Sequence, residues 1–263
     1  MDEARSLAIA AARAGGAVIA AAVRQPGWGV RHKGAVDLVT EVDLASEAAV
    51  VRFLEQHSAG VPILAEEGSG ASAASTRWII DPLDGTTNFV HGYPHFAVSV
   101  ALEEEGALRA GCIYDPLRDE VWSAAAGEGA TCNGQRLQVS ATETLNDALL
   151  VTGFPYDRRQ RADFYLSFVD AMMRRCQGIR RSGAATLDFC SLAAGRVDGF
   201  WEFGLAPWDM ATGALLVREA GGRVTDLRGG TFHLGGREVL ATNARTHREM
   251  TEVLVTLLSC RPS

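Results

Sequence analysis

The sequence predicts a mixed α/β fold in which two joined halves form one unit. The chain has 263 residues and 47% hydrophobic residues, enough for a substantial core. Several segments carry apolar residues with helical spacing, and short apolar runs bounded by Gly or Pro indicate strands between them. The pattern changes near residue 145, so we predict halves at 1–144 and 145–263, with a site between them.

The N-terminal half begins with two predicted helices. Residues 3–24 are rich in Ala, and their larger apolar residues favour one helical face, which Gly15-Gly16 interrupts. A second helix is predicted at 44–56, where Thr40 or Asp43 would cap its N-terminus.

A pair of short strands is predicted next. Residues 61–65 are apolar and end at Glu66-Glu67, and the small residues of 68–76 predict a mobile loop. The apolar run 78–80 is then expected to stop at Pro82, because proline cannot donate to a strand ladder.

The remaining elements alternate in type. An antiparallel or mixed sheet is predicted from the apolar runs at 96–102, 111–114, 120–123 and 129–139. The second half is predicted to contain strands at 149–152 and 199–202 and helices at 163–175, 186–194 and 207–220.

Charge and cysteine content limit the function classes. The formal charge of −7 argues against a nucleic-acid-binding surface. If the protein binds a phosphate group, metals or a local pocket must supply the affinity. The five cysteines lack a CxxC pair, as expected of reduced thiols in a cytoplasmic protein. No run approaches the roughly 20 apolar residues of a membrane span, and no basic flank follows Met1, so neither a membrane segment nor a signal peptide is predicted.

The most informative motif places two acids at the end of an apolar run. Asp81 and Asp84 follow Trp78-Ile79-Ile80 directly, and buried carboxylates are costly unless a cation or hydrogen bonds offset them. Gly85-Thr86-Thr87 is a plausible turn into a helix, whose free N–H groups favour an anion. The motif therefore predicts a metal site beside a phosphate site.

Further acids end other apolar segments: Asp43, Glu66-Glu67 and Asp209. Oxygen ligands of this kind suit Mg²⁺, and the acids would form one cage if the fold brought them together. Each also has a simpler interpretation taken alone, as a helix cap, a solvated loop charge or a first-turn acid.

The ordered motifs together resemble the inositol monophosphatase family of Mg²⁺-dependent, lithium-sensitive phosphatases. The resemblance covers nearly the whole chain and rests on the following segments: Asp37 to Asp43, Glu66-Glu67, Asp81-Pro82-Leu83-Asp84-Gly85-Thr86-Thr87-Asn88-Phe89, Cys132 to Gln135, Pro207 to Gly213 and Glu219 to Gly222. It implies a layered αβαβα sandwich of the inositol monophosphatase and fructose-1,6-bisphosphatase type and a homodimer.

The resemblance also implies roles for the acids. Glu66, Asp81 and the Leu83 carbonyl would hold a first Mg²⁺, while Asp81, Asp84 and Asp209 would hold a second. Glu67 would lie beside the first ion, and a weaker third ion would sit near Glu66. Thr86 and Glu66, with Asp43 behind Thr86, would orient the attacking water, and two ions would stabilise its in-line displacement.

Substrate contacts are implied as well. The Gly85 and Thr86 amides would receive the phosphate beside Asp84 and Asp209, while Gly183, Ala185 and Glu202 would face the leaving alcohol. A buried Glu202 would select a polyol such as myo-inositol 1-phosphate, whereas the alternative is an exposed charge at a strand end. Ala184 stands where many members carry a hydroxyl, which leaves open histidinol phosphate, fructose 1,6-bisphosphate and nucleotide 3′-phosphates.

Two other function classes compete with this hypothesis. A haloacid-dehalogenase-type loop separates its two aspartates by two positions, whereas Asp81 and Asp84 are three apart. The extra position points the second carboxylate in a different direction, so this loop cannot replace the haloacid-dehalogenase loop. Some bacterial relatives act instead as regulatory binding partners of transcription or RNA machinery, so a non-enzymatic role stays open.

Several other residues receive mainly structural interpretations. His91 and His95 follow the motif, but an oxygen cage prefers a harder ion than imidazole does. Lys33 precedes the first motif, where it would either reach the site or remain solvated. The arginine clusters at 158–161 and 174–181 would attract a phosphorylated ligand or a partner, or form a solvated face.

Overall fold

A computed structural model describes residues 3–24, 29–32, 38–68 and 74–259 of the chain. The helices are α1 (Glu3–Val23), α2 (Glu41–His57), α3 (Thr86–Val90), α4 (Ala162–Met173), α5 (Ala185–Ala193), α6 (Pro207–Glu219) and α7 (His247–Ser259). The strands are β1 (Val30–His32), β2 (Leu38–Thr40), β3 (Ile63–Ala65), β4 (Thr76–Asp84), β5 (Ala97–Glu104), β6 (Ala107–Asp115), β7 (Glu120–Ala125), β8 (Gly129–Cys132), β9 (Gln135–Arg136), β10 (Leu149–Thr152), β11 (Gly178–Arg180), β12 (Gly199–Phe203), β13 (Arg223–Thr225) and β14 (Glu238–Thr242).

The elements stack in five layers, as predicted. Helices α1 and α2 pack on one face of a seven-stranded sheet of order β3-β4-β5-β6-β7-β8-β9. Helices α5 and α6 fill the space between it and a five-stranded sheet of order β11-β10-β12-β14-β13. Helices α4 and α7 contact each other and the outer face of the second sheet. This layering confirms the αβαβα sandwich and buries an apolar core on both faces of each sheet.

Strand β4 leads the metal motif into the centre of the molecule. It pairs with β3 in parallel and with β5 antiparallel, and its residues from Trp78 to Leu83 are buried. The prediction that Pro82 ends the strand is wrong, because β4 continues to Asp84. The register against β5 shifts between Asp81 and Asp84, and such a bulge tolerates proline because its residue need not donate to the ladder.

Helix α1 runs without a break across Gly15-Gly16, which confirms the predicted opening helix. The two glycines permit close packing. A Cβ at Gly15 would lie 2.7 Å from Ser46 Oγ of α2, and a Cβ at Gly16 would overlap the ring of Tyr114 on β6. Because these two residues have no side chain, α1 can pack closely against both α2 and β6.

Gly16→Ala is expected to lower the free energy of unfolding by about 2 kcal/mol, since overpacking against the half-buried Tyr114 ring outweighs the better helix propensity of alanine. Chemical denaturation would measure this. Gly235→Ala is the matched control, because nothing lies within 4 Å of a Cβ there. An unchanged stability in Gly16→Ala would show that Tyr114 moves aside at no cost.

Helix α1 also meets the length and hydropathy expected of a membrane span, so the prediction that no segment does so is wrong. Its buried face contributes Ala8, Ala11, Ala12 and Ile19 to the core, where they pack with residues of α2 and β5. A core helix of a globular protein passes the same test of length and composition.

Most predicted elements are present with shifted ends. Helix α2 begins at Glu41 with Thr40 as its N-cap, which confirms the first of the two candidates. Asp43 is not the cap but the third residue of the helix, where its side chain closes a capping box. Strands β13 and β14 and helix α7 were not predicted. The loop predicted at 68–76 lies largely outside the described residues, and its last residue, Thr76, begins β4.

Candidate active site

A cleft of about 310 Å³ lies where β4 ends, next to the loop after β10 and the starts of α5 and α6. Its wall includes ten of the residues singled out from the sequence: Glu66, Asp81, Leu83, Asp84, Gly85, Thr86, Gly183, Ala185, Glu202 and Asp209. Segments from both predicted halves therefore meet in one cleft.

Three carboxylates converge in this cleft. Asp81 and Asp84 come from the end of β4, and Asp209 comes from the first turn of α6. One oxygen of each lies within 4.8 Å of an oxygen of the others. Residues far apart in sequence are thus brought to a spacing at which one cation can contact all three.

Each carboxylate accepts hydrogen bonds at one of its oxygens. The Leu83 N–H donates to Asp81 Oδ1 over 3.0 Å. The Ala206 N–H donates to Asp209 Oδ2 over 2.6 Å, at the N-terminus of α6. Asp84 Oδ2 accepts from both the N–H and the hydroxyl of Thr186, at 2.7 and 2.5 Å.

The cluster is electrostatically costly without a cation. Burial, followed by the charges of Glu66, Asp84 and Asp209, raises the pKa of Asp81 well above its usual range. Burial and the charges of Asp84 and Glu66 raise the pKa of Asp209 in the same way. Burial also raises the pKa of Asp84, although the Thr186 hydrogen bonds and the Arg181 charge oppose it.

The donor set fits a hard divalent cation. All the converging atoms are carboxylate oxygens, the ligand type that Mg²⁺ prefers, and the mutual repulsion of these groups would be relieved by a bound positive charge. Glu66 lines the same cleft and raises the pKa of Asp81, so its carboxylate is close to the cluster.

A hydrogen-bonded chain runs back from Thr86 into the protein. The Thr86 hydroxyl lies 2.9 Å from Asp43 Oδ1 and 3.0 Å from the Leu83 carbonyl oxygen, and its single proton goes to one of them at a time. Asp43 is 1% exposed, and its Oδ2 accepts from the Thr40 N–H at 2.8 Å. Burial raises the pKa of Asp43, and its hydrogen bonds oppose that rise.

Gly85 turns the chain from β4 into α3. Its φ is +91°, in the region that favours glycine, and a Cβ there would lie 2.9 Å from the His95 carbonyl oxygen. The turn places Thr86 at the first position of α3, next to the acidic cluster. The Asn88 amide fixes this turn, because it donates to the carbonyls of His95 and Ser182 at 2.8 and 3.0 Å.

Glu202 is buried, so the alternative of an exposed strand-end charge is wrong. Its carboxylate lies against Gly153, where any side chain would overlap it. Burial raises the pKa of Glu202 to about 8, the Arg181 charge acts in the opposite direction, and the Asp84 charge adds to the rise. Glu202 is therefore a buried acid in the wall of the cleft.

Sequence reasoning missed Asp188, which α5 places in the same wall with 2% exposure. Burial and the Glu202 charge raise its pKa well above the usual range. Its Oδ1 lies 3.9 Å from Nε2 of His95, a buried nitrogen with no hydrogen-bond partner among the described residues. Only its place in the predicted helix 186–194, shortly after the predicted contacts Gly183 and Ala185, would have indicated it.

The remaining candidates have mixed outcomes. Arg158 and Arg181 line the cleft, so these two do not form part of a purely solvated face. The Glu67 N–H donates to Glu47 Oε2 at 2.8 Å, and Glu67 does not line the cleft. Lys33 lies outside the described residues.

Comparison with known proteins gives a consistent result. A sequence model of the inositol monophosphatase family matches residues 1–262. The chain is 44% identical over 252 residues to "Nus factor SuhB" of Pseudomonas aeruginosa, covering 93% of both. Its structure resembles the extragenic suppressor protein suhB of Bartonella henselae, with a TM-score of 0.90, 39% identity and coverage of 95% of this chain and 97% of that one. It also resembles the inositol monophosphatase of Anabaena, with a TM-score of 0.87, 41% identity and 98% coverage of each chain.

Proposed function

The chain belongs to the inositol monophosphatase family, and on that premise we propose that it is a Mg²⁺-dependent phosphomonoesterase whose best substrate is myo-inositol 1-phosphate. The observation that carries this proposal is the convergence of Asp81, Asp84 and Asp209 in one cleft, with carboxylate oxygens within 4.8 Å.

We assign the metal ligands as the resemblance implies. Glu66, Asp81 and the Leu83 carbonyl would hold one ion, and Asp81, Asp84 and Asp209 a second. When bound, Mg²⁺ supplies positive charge that stabilises the phosphoryl oxygens and activates the attacking water. The chain supplies the fixed carboxylates, of which Asp81 is buried and Asp84 and Asp209 are half-buried.

The proton of the attacking water is proposed to leave through Thr86. In its present geometry the hydroxyl can donate to Asp43 at 2.9 Å, which leaves an Oγ lone pair to accept from water, with Glu66 orienting that water from the other side. The Gly85 and Thr86 amides would receive the phosphate.

The leaving alcohol is proposed to face Gly183, Ala185 and Glu202, which line the cleft on the side of the second sheet. A buried acid opposite polyol hydroxyls gives discrimination that an apolar wall lacks, because its hydrogen bonds are lost with an alcohol that cannot match them. Histidinol phosphate, fructose 1,6-bisphosphate and nucleotide 3′-phosphates are the alternative substrates.

Phosphate release is the direct test. The purified protein would be assayed with Mg²⁺ and with EDTA on inositol 1-phosphate, histidinol phosphate, fructose 1,6-bisphosphate and adenosine 3′,5′-bisphosphate. Mg²⁺-dependent release that is fastest from the inositol ester is the expected result. Preference for another ester would reassign the substrate. If the folded protein releases phosphate from none of the four esters, the proposed phosphatase activity is refuted.

Glu202→Gln is expected to lower kcat/KM for inositol 1-phosphate about tenfold more than for p-nitrophenyl phosphate, whose leaving group has no hydroxyls to bond. The ratio of the two rates is the measurement. Glu219→Gln is a matched control, since Glu219 accepts backbone N–H groups of Gly127 and Gly129 away from the cleft. Equal losses on both esters would assign Glu202 to structure alone.

A second role is proposed on the strength of the relatives' names. Because the 44% identical protein of P. aeruginosa is a Nus factor, we propose that this chain also acts as a regulatory binding partner of transcription or RNA machinery. Binding of the protein to purified RNA polymerase, compared with binding of an Asp209→Asn variant, tests this. Equal binding by both would show a role independent of hydrolysis, and no binding by either would contradict it.

Location and assembly are proposed on the same basis. We propose that the protein is a homodimer inhibited by lithium, as the resemblance implies, and that it is cytoplasmic. Support for the compartment comes from Cys112, Cys132, Cys176 and Cys190, which form no disulfide within the described part of the chain.

A further inference from the structure

One face of α2 is buried against the candidate active site. It carries Asp43, Ser46 and Glu47, whose spacing of three and four residues places them side by side on the helix. Each of the three is hydrogen-bonded to a different segment of the site: the start of α3, the end of β4 and the chain that follows β3. The bond to Asp43 belongs to the proposed proton path, and the other two involve backbone groups of the site.

The bond from Ser46 holds a peptide unit inside the metal motif. The Ser46 hydroxyl donates to the Pro82 carbonyl oxygen at 2.7 Å. The N–H of the same peptide unit belongs to Leu83 and donates to Asp81 Oδ1 at 3.0 Å. This peptide unit lies in the bulge of β4, where the pairing with β5 is interrupted. Turning the peptide would break both bonds, so Ser46 fixes the N–H that orients the Asp81 carboxylate.

The bond to Glu47 holds the chain beside a second acid of the site. The Glu67 N–H donates to Glu47 Oε2 at 2.8 Å. That N–H belongs to the peptide unit between Glu66 and Glu67, so the bond fixes the backbone on one side of Glu66. Glu66 lines the cleft, whereas Glu47 and Ser46 do not. Both α2 side chains therefore stand behind the acids and act on them through the backbone.

This support matters because the acids of the site repel one another. Glu66 and Asp81 are close enough for the charge of the first to raise the pKa of the second. If the backbone were free, such acids would move apart, and part of the binding free energy of a cation would be lost in drawing them together. Helix α2 is a rigid support, since Val42, Val50 and Leu54 anchor it in the core.

We propose that Ser46 and Glu47 are positioning residues of the metal site, which hold the backbone around Asp81 and Glu66 in the arrangement that Mg²⁺ requires without touching the ion themselves. The inference rests on the proposed function, since it takes Asp81 and Glu66 as ligands of the ion. Losing either side chain should therefore weaken metal binding and leave the chemical step intact once the metal site is filled.

Metal binding is the direct measurement. The dissociation constant of Mg²⁺ would be measured by calorimetry, and that of Mn²⁺ by electron paramagnetic resonance, both without substrate. Ser46→Ala and Glu47→Met are each expected to raise both constants about tenfold, the usual effect of losing a residue that orients a metal ligand. The Mg²⁺ concentration at half-maximal rate should rise by the same factor, while kcat at saturating Mg²⁺ stays within about twofold of the wild-type value.

Two further variants serve as controls. Glutamine has nearly the length of methionine and its amide oxygen can accept from the Glu67 N–H, so Glu47→Gln should bind Mg²⁺ within about threefold of the wild type. Ser123→Ala removes another buried hydroxyl, because Ser123 is 2% exposed on β7, accepts from Arg5 Nε at 3.1 Å and does not line the cleft. It should lower the Tm about as much as Ser46→Ala does and leave the Mg²⁺ dissociation constant unchanged.

A wild-type Mg²⁺ dissociation constant in folded Ser46→Ala or Glu47→Met would overturn the assignment of that residue, whatever its effect on stability. Binding by Glu47→Gln as weak as that by Glu47→Met would assign the effect to charge and overturn positioning by Glu47. The two residues act on separate segments, so either variant tests the inference if the other does not fold.

Failure of the proposed function gives a different result. Wild-type protein that binds Mg²⁺ but releases phosphate from no ester would refute the phosphatase and leave the comparison of dissociation constants intact. Wild-type protein that binds neither Mg²⁺ nor Mn²⁺ would overturn both the proposed function and the positioning roles.

Discussion

Asp209→Asn is expected to lower kcat/KM for the best phosphate ester about 1000-fold, equivalent to about 4 kcal/mol of lost transition-state stabilisation. The substitution keeps the size of the side chain and removes a charge from the cluster of Asp81, Asp84 and Asp209. The asparagine oxygen would still accept from the Ala206 N–H, which now contacts Asp209 at 2.6 Å, so the start of α6 is preserved. Steady-state kinetics over a range of Mg²⁺ concentrations measures the effect.

The same variant should be more stable than the wild type when no metal is present. Burial and neighbouring charges raise the pKa of Asp209, so its ionisation opposes folding once the pH rises above the unfolded value of about 3.9. Removing the charge is expected to raise the free energy of unfolding in EDTA by about 1 to 2 kcal/mol at pH 7. The stabilisation that Mg²⁺ confers on the wild type should shrink in parallel, and a thermal melt with and without Mg²⁺ measures both.

Asp170→Asn is the control for both measurements. Asp170 is an exposed residue of α4 that pairs with Arg174 at 2.8 Å on the surface, so its charge contributes little. Near-normal turnover of Asp209→Asn at limiting Mg²⁺ would remove Asp209 from the metal site. Lower stability of that variant in EDTA would show that the carboxylate serves the fold instead.

The acidic motif was predictable because its charged residues directly follow an apolar run that is expected to be buried. Asp81 and Asp84 follow a buried strand without a break, and Asp209 opens a helix, so both positions follow from local patterns. Local patterns did not predict that the three carboxylates lie close together in space. Their proximity depends on how α6 packs against the sheet that carries β4, and only the family resemblance linked the segments in advance.

The errors in the fold share one cause, which is that long-range packing overrides a local rule. Pro82 should end a strand, yet a bulge absorbs it. Strands β13 and β14 are short and pair mainly with residues distant in sequence, which single-segment patterns do not reveal.

The second layer of the site was the least predictable part. Asp188 lies within a few residues of the predicted contacts Gly183 and Ala185, but no charge pattern in the sequence marks it. Its significance comes from burial next to Glu202, which is a property of the assembled sheet and helix. Arg181 is exposed, and its effect on Glu202 comes from its charge.

Thr86→Val is expected to lower kcat about 100-fold with little change in KM, because valine keeps the shape of threonine but cannot pass a proton to Asp43. In the wild type the hydroxyl lies 2.9 Å from Asp43 Oδ1, and Asp43 in turn closes the capping box of α2. The loss would therefore fall on the chemical step.

Thr86→Ser provides the matched control, since it restores the hydroxyl without the methyl group and should recover most of the rate. The stability of each variant would be measured alongside kcat, because valine leaves Asp43 with one donor fewer in a buried site, a cost of about 1 to 2 kcal/mol. Equal rates in the valine and serine variants would show that the hydroxyl of Thr86 is not needed for the chemical step. A slow valine variant that serine rescues would place the hydroxyl, and Asp43 behind it, on the path of the proton.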